Sequence, residues 1–207
     1  MKDMKLNPYA SILIGVFLGS TTGVWVKLLN LPSTSMSFFR MIVPVVFIFI
    51  YLLIKREKIF FGRKKKLLII SAINAVRLFL FLTGYAFTTI SNAVIIVYTW
   101  PIFAAIFSSI IVKEKVPWKN ILLILLSFSG IIVMYANKNL SFRSDDFIGM
   151  SAMLGSAILV ALMMIFVKEE ADKHSKAKLI FYQNLLGAIF FLPLFIKDGF
   201  PSPEKTG

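Results

Sequence analysis

Two arginines stand inside long apolar runs: Arg40 in "SFFRMIVP" (37–44) and Arg77 in "SAINAVRLFLF" (71–81). A guanidinium stays charged in proteins and presents five donors in a rigid fork, so its natural chemistry is to hold a carboxylate or a phosphate. Asn74 precedes Arg77 by three residues, the spacing that puts two side chains on one helical face. Tyr98, Thr99 and Trp100 form a second polar and aromatic group. Pro101 follows them, and its missing N–H frees the carbonyl near Val97. Ser20 and Thr21 interrupt a third apolar run, and Gln183 and Asn184 a fourth. The chain has no cysteine and a single histidine, His174, which rules out thiolate and multi-histidine metal centres. No nucleophile–base–orienter set and no phosphate loop is present, so the chemistry on offer is binding rather than catalysis, with no catalytic residue, metal or cofactor expected.

These residues must be positioned by elements that the composition narrows sharply. The chain has 207 residues, 58% hydrophobic and only 16% charged, with a mean hydropathy of +0.83. Soluble domains carry roughly 25% charged residues. The sequence therefore reads as an all-α integral membrane protein. A spanning helix needs about 20 mainly apolar residues, and seven segments qualify: 9–29, 35–54, 67–87, 92–112, 119–137, 147–167 and 178–197. Polar or charged breaks such as "NLPSTS", "KREKIFFGRKKK", "TTISN" and "NKNLSFRSDD" separate them. The first run follows Lys2 and Lys5 with no small-residue cleavage site, so it is read as an uncleaved first span.

The formal charge of +13 is mostly a topology signal. Basic residues crowd the N-terminus and the segments 55–66, 113–119 and 168–178. The alternate segments hold only Lys27, Lys138, Arg143, Lys197 and Lys205. The positive-inside rule then puts the N-terminus in the cytoplasm of a cell whose inner (plasma) membrane holds the chain. The charge thus calls for a lipid bilayer, not nucleic acid, as partner; the run 63–66 could also meet anionic headgroups. "NLS" at 139–141 fits a glycosylation sequon but reads as a chance match.

A weak internal repeat is visible. "LIGVFLGS" (13–20) is echoed by "FIGMSAMLGS" (147–156), and "SFFRMIVP" (37–44) by "IFYQNLLG" (180–187), which sets Arg40 against Gln183. Five spans, 1–137, form one repeat. The external linker 138–146 leads to an incomplete second repeat, 147–207, with two spans and a tail. Five is odd, so the second copy enters from the opposite side, the inverted arrangement of secondary transporters.

The stretch "GYAFTTISNAVIIVYTWPIFAAIFSSIIVKEKVPWKNILLILLSFSGIIVM" resembles the signature of the third to fifth helices of the EamA family, in the drug/metabolite transporter superfamily. A small-rich helix end, a short polar turn, Pro101, Glu114 and Gly130 carry the resemblance, with Arg40 early in the second helix. It implies ten helices in two repeats moving small metabolites, often outward. Three helices of the second repeat are then expected beyond Gly207, with the chain a fragment or a half-module completed by a second copy or another chain. The small multidrug resistance proteins of the same superfamily rely on a glutamate in the first helix; "GSTTG" (19–23) stands there instead.

Depth arguments rank the candidates. Arg77 lies eleven residues past Lys66, roughly 16 Å into a hydrocarbon layer about 30 Å thick. A charge there is costly and faces a bundle interior or an aqueous cavity. It is either a structural arginine bonded to helix-end carbonyls or an anion-contacting residue. Arg40 is close enough to its helix end either to snorkel or to act at a gate. Arg77, Asn74, Tyr98, Trp100, Thr99, Ser20, Thr21 and Arg40 are thus the candidate solute-binding residues, weighed against ordinary packing of Tyr98 and Trp100. Pro101 is expected to kink its span. Gly15, Gly19 and Gly23, at four-residue spacing, are expected to form a close helix–helix contact. Glu114 is expected to be structural, offset by Lys113 and Lys115. Two membrane arginines and no midplane acid favour an anionic or zwitterionic small-molecule solute, such as an amino acid or organic acid, with export by alternating access the expected mode. The alternatives are a seven-helix receptor or a non-transporting membrane subunit.

Overall fold

The computed structural model describes residues 7–29, 31–57, 64–135 and 144–198. The N-terminal lysines, the 139–141 sequon and the tail after 198 lie outside the described residues. All regular structure among the described residues is helical. Five helices are long and apolar enough to cross a membrane, and two shorter apolar stretches, Leu13–Leu29 and Trp118–Gly130, complete a seven-span integral membrane fold.

Two spans are broken rather than continuous. The first comprises α1 (Pro8–Ser20) and α2 (Thr22–Leu29), parted at Thr21. Asn7 caps α1 by accepting from the Tyr9 N–H at 3.1 Å, with Pro8 at the first helical position. The second and third spans are whole: α3 (Ser33–Ile54) and α4 (Lys64–Phe87). The fourth comprises α5 (Ile90–Val97), α6 (Trp100–Phe107) and a π-helical turn, Ser108–Val112. Then follow α7 (Trp118–Tyr135), α8 (Ser144–Ala171) and α9 (Lys176–Asp198). Of the expected external linker 138–146, Ser144 to Asp146 already belong to α8.

Apolar surface gains little by moving from lipid to a neighbouring helix, so packing needs close backbone approach and polar ties. Both are present. α4 runs against α8 where Gly149 meets Phe87 and Thr88, and Gly84 meets Met153. α3 runs against α9 where Gly187 sits under Met41, with Phe38 stacked on Phe195 at 4.9 Å. α4 also packs on α9, and α5 and α6 pack on α8. Outward-facing Leu13, Phe17, Phe47, Leu126 and Val133 are exposed, as lipid-facing side chains should be.

The first-span glycines need correction. A Cβ on Gly15 or Gly19 would meet nothing within 4 Å. Gly23 alone makes a close contact, with a Cβ there falling 2.6 Å from the Tyr85 ring. α2 packs on α4, so of the four-residue stripe only its Gly23 end closes against another helix.

Candidate functional site

The fourth span breaks where its sequence removes a donor and offers a substitute acceptor contact. Pro101 occupies the first turn of α6 and has no N–H to give back to α5. Thr99 closes the turn: its N–H and its hydroxyl both donate to the Ile96 carbonyl, at 3.0 and 2.7 Å. Helix resumes with the Ile102 N–H on the Thr99 carbonyl at 3.0 Å. Pro101 therefore starts a new helix instead of kinking a continuous one, and Tyr98 and Thr99 sit in the gap.

A cavity of about 620 Å³ lies beside this break. Gly19, Ser20, Phe81, Tyr85, Tyr98 and Trp100 are among its walls. It thus sits between the two broken spans, one parting just after Ser20 and the other just after Val97. Irregular backbone at membrane depth is tolerated where it lines such a space. The Ser20 hydroxyl donates to the Phe17 carbonyl at 2.8 Å and keeps acceptor capacity for a ligand. Thr21 is half-buried at the end of α1. Tyr98 is 47% exposed and Trp100 is half-buried.

Arg77 is half-buried on α4 and is held by side chain, not by helix-end carbonyls. Its Nε and one terminal nitrogen donate to Asn74 Oδ1 at 3.1 and 2.9 Å. The Asn74 amide in turn donates to the Gln183 carbonyl at 2.9 Å and to Asn184 Oδ1 at 3.3 Å. Ser71 inserts beside it: the Leu186 N–H donates to Ser71 Oγ at 3.0 Å rather than only along its own helix. This network joins α4 to α9 and fixes the plane of the guanidinium. The structure therefore brings Arg77 and Asn74 together with Gln183 and Asn184.

Arg77, Phe81 and Tyr85 recur every four residues and share one face of α4. Phe81 packs edge-on to Tyr85 at 4.9 Å, while the Arg40 guanidinium of α3 lies 5.5 Å from the Phe81 ring centre. Arg40 is thus held by a cation–π contact. Neither guanidinium is ion-paired with a carboxylate among the described residues. Phe81 lines the cavity and carries Arg40 on its ring, and neither arginine is itself among the cavity's walls. Sequence reasoning missed Phe81 and Tyr85, although their four-residue spacing from Arg77 was a legible signal.

Two acids also end up differently placed. Asp146, expected in an external linker, is buried and accepts from the Thr88 hydroxyl at 2.9 Å, while Asn92 donates to Thr88 at 3.2 Å. Lys27 covers the nearby end of α4 by donating to the Ala86 carbonyl at 3.1 Å. Glu114 pairs with Lys168 of α8 at 2.9 Å, and that cation, not Lys113 or Lys115, offsets it. The Lys168 hydrogen bond, then that from Ser108, holds the Glu114 carboxyl below its ordinary value of 4.5. No group of three or more metal-ligating side chains occurs among the described residues.

The model of the EamA-like transporter family matches residues 7–136. The chain belongs to that family. This EamA-like chain is 27% identical to solute carrier family 35 member G1 of Mus musculus over 84% of its own length and 51% of the mouse protein. An uncharacterized transporter of Archaeoglobus fulgidus is 24% identical over 97% of the chain and 70% of that protein. The pseudopaline exporter CntI of Pseudomonas aeruginosa is 22% identical over 91% and 67%. The chain thus spans about half the length of the mouse relative. No solved structure matches it. Family membership points to transport rather than to an enzyme or a receptor.

Proposed function

We propose that this EamA-like chain belongs to a secondary transporter that moves a small anionic or zwitterionic organic solute, such as an amino acid or organic acid, out across the inner (plasma) membrane. The carrying observation is the pair Arg40 and Arg77 within apolar spans, Arg40 on the ring of the cavity-wall residue Phe81 and Arg77 one turn from Phe81 on α4, with no carboxylate ion pair among the described residues. A charge kept there at a cost of at least about 2.5 kcal/mol is repaid by an anion arriving in the cavity. Arg77 attracts the solute's carboxylate, Asn74 orients the guanidinium, and Tyr98, Thr99 and Trp100 with Ser20 and Thr21 wall the path. The relative named as an exporter supports the outward direction.

In this reading residues 1–137 form one repeat, 138–146 the external linker, and 147–207 the start of an inverted second repeat. The N-terminus is cytoplasmic, and either a second copy or further C-terminal helices complete the cavity. The pairing of the second span (α3) with the seventh (α9), whose repeat positions correspond, supports this division. Transport proceeds by alternating access, the two halves rocking about the central site.

The test compares solutes released by cells expressing the full-length protein with those expressing Arg77→Ala. A carboxylate-bearing solute should accumulate outside and disappear with the variant. Equal release by both, or release of a purely cationic solute, would overturn the assignment.

A further inference from the structure

One end of the bundle is tied by three ion pairs, and each joins the first five spans to the sixth or seventh. Lys66, at the start of α4, meets Glu169 near the end of α8 at 2.7 Å. Glu114, just past the π turn, meets Lys168 of α8 at 2.9 Å. Glu57, just past α3, meets Lys178 of α9 at 3.0 Å and accepts from the Ser175 hydroxyl at 3.1 Å. None is a local helix pair; the first two link residues 103 and 54 positions apart.

The backbone aims two of the three acids. Arg56 is left-handed (φ 51°) and closes α3, with the Glu57 N–H on the Leu52 carbonyl at 3.0 Å and the Arg56 N–H on the Leu53 carbonyl at 3.1 Å. Lys113 is left-handed as well (φ 57°) and closes the π turn. The Glu114 N–H then reaches the Ser108 carbonyl at 3.3 Å, and the Ser108 hydroxyl donates to the Glu114 carboxylate at 3.0 Å. Positive φ is uncommon for residues with a side chain. Among the described residues it occurs twice, each time immediately before an acid that crosses to the other half.

The cavity lies toward the opposite end. Its wall residue Tyr85 is nineteen positions beyond Lys66 on the same helix, about 28 Å along the axis. At the cavity's end α4 and α8 are joined by uncharged contacts, with Gly149 against Thr88 and the Thr88 hydroxyl donating to Asp146, whereas the far end carries the three long-range ion pairs.

We propose that Lys66–Glu169, Glu114–Lys168 and Glu57–Lys178 form a latch that shuts the cytoplasmic entrance while the cavity faces outward. The pairs separate when the halves rock to admit solute. This rests on the transport reading above and its orientation. Lys66–Glu169 and Glu114–Lys168 are exposed and suit such a role because each is easily broken, while Glu57–Lys178 is half-buried. One pair biases an equilibrium by about 1.5- to 5-fold, and three acting together by roughly 3- to 100-fold. High salt weakens the latch.

The chain has no cysteine, so Val97→Cys on the cavity wall introduces a single thiol into it. Its reaction with a membrane-impermeant maleimide is followed from outside in cells and from the cytoplasmic face in inside-out vesicles. Glu114→Lys or Lys168→Glu alone should speed cytoplasmic labelling by about 2- to 10-fold and slow outside labelling; the exchanged pair together should restore both rates. Lys66→Glu with Glu169→Lys repeats the test independently, and size-exclusion profiles identify any variant that misfolds. Unchanged rates in the single variants, or no restoration by the exchanges, overturn the latch. Labelling from one face only in the starting protein and in every variant would instead overturn the alternating-access reading on which the latch depends.

Discussion

Substituting Gly149 by alanine tests the closest approach of a glycine to another helix's backbone among the described residues. A Cβ there would lie 2.7 Å from both Thr88 Cβ and the Thr88 nitrogen, and 2.9 Å from the Phe87 carbonyl carbon. Ordinary carbon contacts begin near 3.5 Å, so α4 and α8 must part by most of an ångström. Two of the three obstructing atoms are backbone and cannot rotate away. The same shift would stretch the Thr88–Asp146 hydrogen bond, now 2.9 Å, beyond useful length. Overpacking of this kind costs about 1–3 kcal/mol. At about 2–4 °C per kcal/mol for a chain of this size, the melting temperature should fall by about 2–12 °C. Two sites provide the scale. At Gly155 the nearest atom is the Leu80 Cδ1 at 3.1 Å, the mobile end of a side chain, and a smaller loss is expected. At Gly15 nothing lies within 4 Å, and alanine should be neutral or slightly stabilising, by up to about 1 kcal/mol. Thermal unfolding in detergent, followed by loss of the monodisperse size-exclusion peak, ranks the three. Equal melting temperatures for Gly149→Ala and Gly15→Ala would refute the α4–α8 packing described here.

Arg77→Lys keeps the charge but loses the fork that grips Asn74 through two nitrogens; solute affinity should drop at least tenfold in a transport assay, with expression unchanged. Phe81→Ala removes the ring that carries Arg40, a contact worth about 0.5–1 kcal/mol; the Km for an anionic solute should change while a Leu126→Ala control on the lipid face does not change it. Pro101→Ala returns an N–H that can reach the Val97 carbonyl, a bond worth about 0.5–1.5 kcal/mol; span four should straighten and maximal transport rate should fall. The Glu114 carboxyl is held below its ordinary value, chiefly by Lys168. Its contribution is therefore full above the unfolded carboxylate range and is lost only as pH falls through the depressed folded value. Val97→Cys labelling from the cytoplasmic face, divided at each pH by that of a freely accessible thiol because maleimide reacts with the thiolate, should accordingly be flat across neutral pH and rise only in acid.

Much of the architecture was legible because the membrane makes sequence unusually explicit. Backbone groups must be satisfied within each span, so apolar runs of bilayer length are already helices. Pro101 marked the break in span four, since a missing N–H acts locally whatever the surroundings. Arg77 with Asn74 was legible for the same reason, as neighbours three apart on a helix touch without help from the fold. Glu114 was visible, but its partner was not: Lys113 and Lys115 are nearer in sequence, while Lys168 is nearer in space. The stripe Gly15, Gly19 and Gly23 promised one contact face, and the break at Thr21 left only Gly23 against another helix.

The sequence by itself determined the class of molecule, its spans, and the neighbour pair Asn74 and Arg77, because hydropathy and helical spacing are properties of short windows. Only the tertiary structure decided that two broken spans share one cavity, that Phe81 on its wall carries Arg40, that Asp146 is buried, and which lysine faces which acid. Those are distances between segments far apart in the chain. They depend on how helices cross, which in a bilayer is set by a few glycines and polar ties rather than by any pattern a single segment displays.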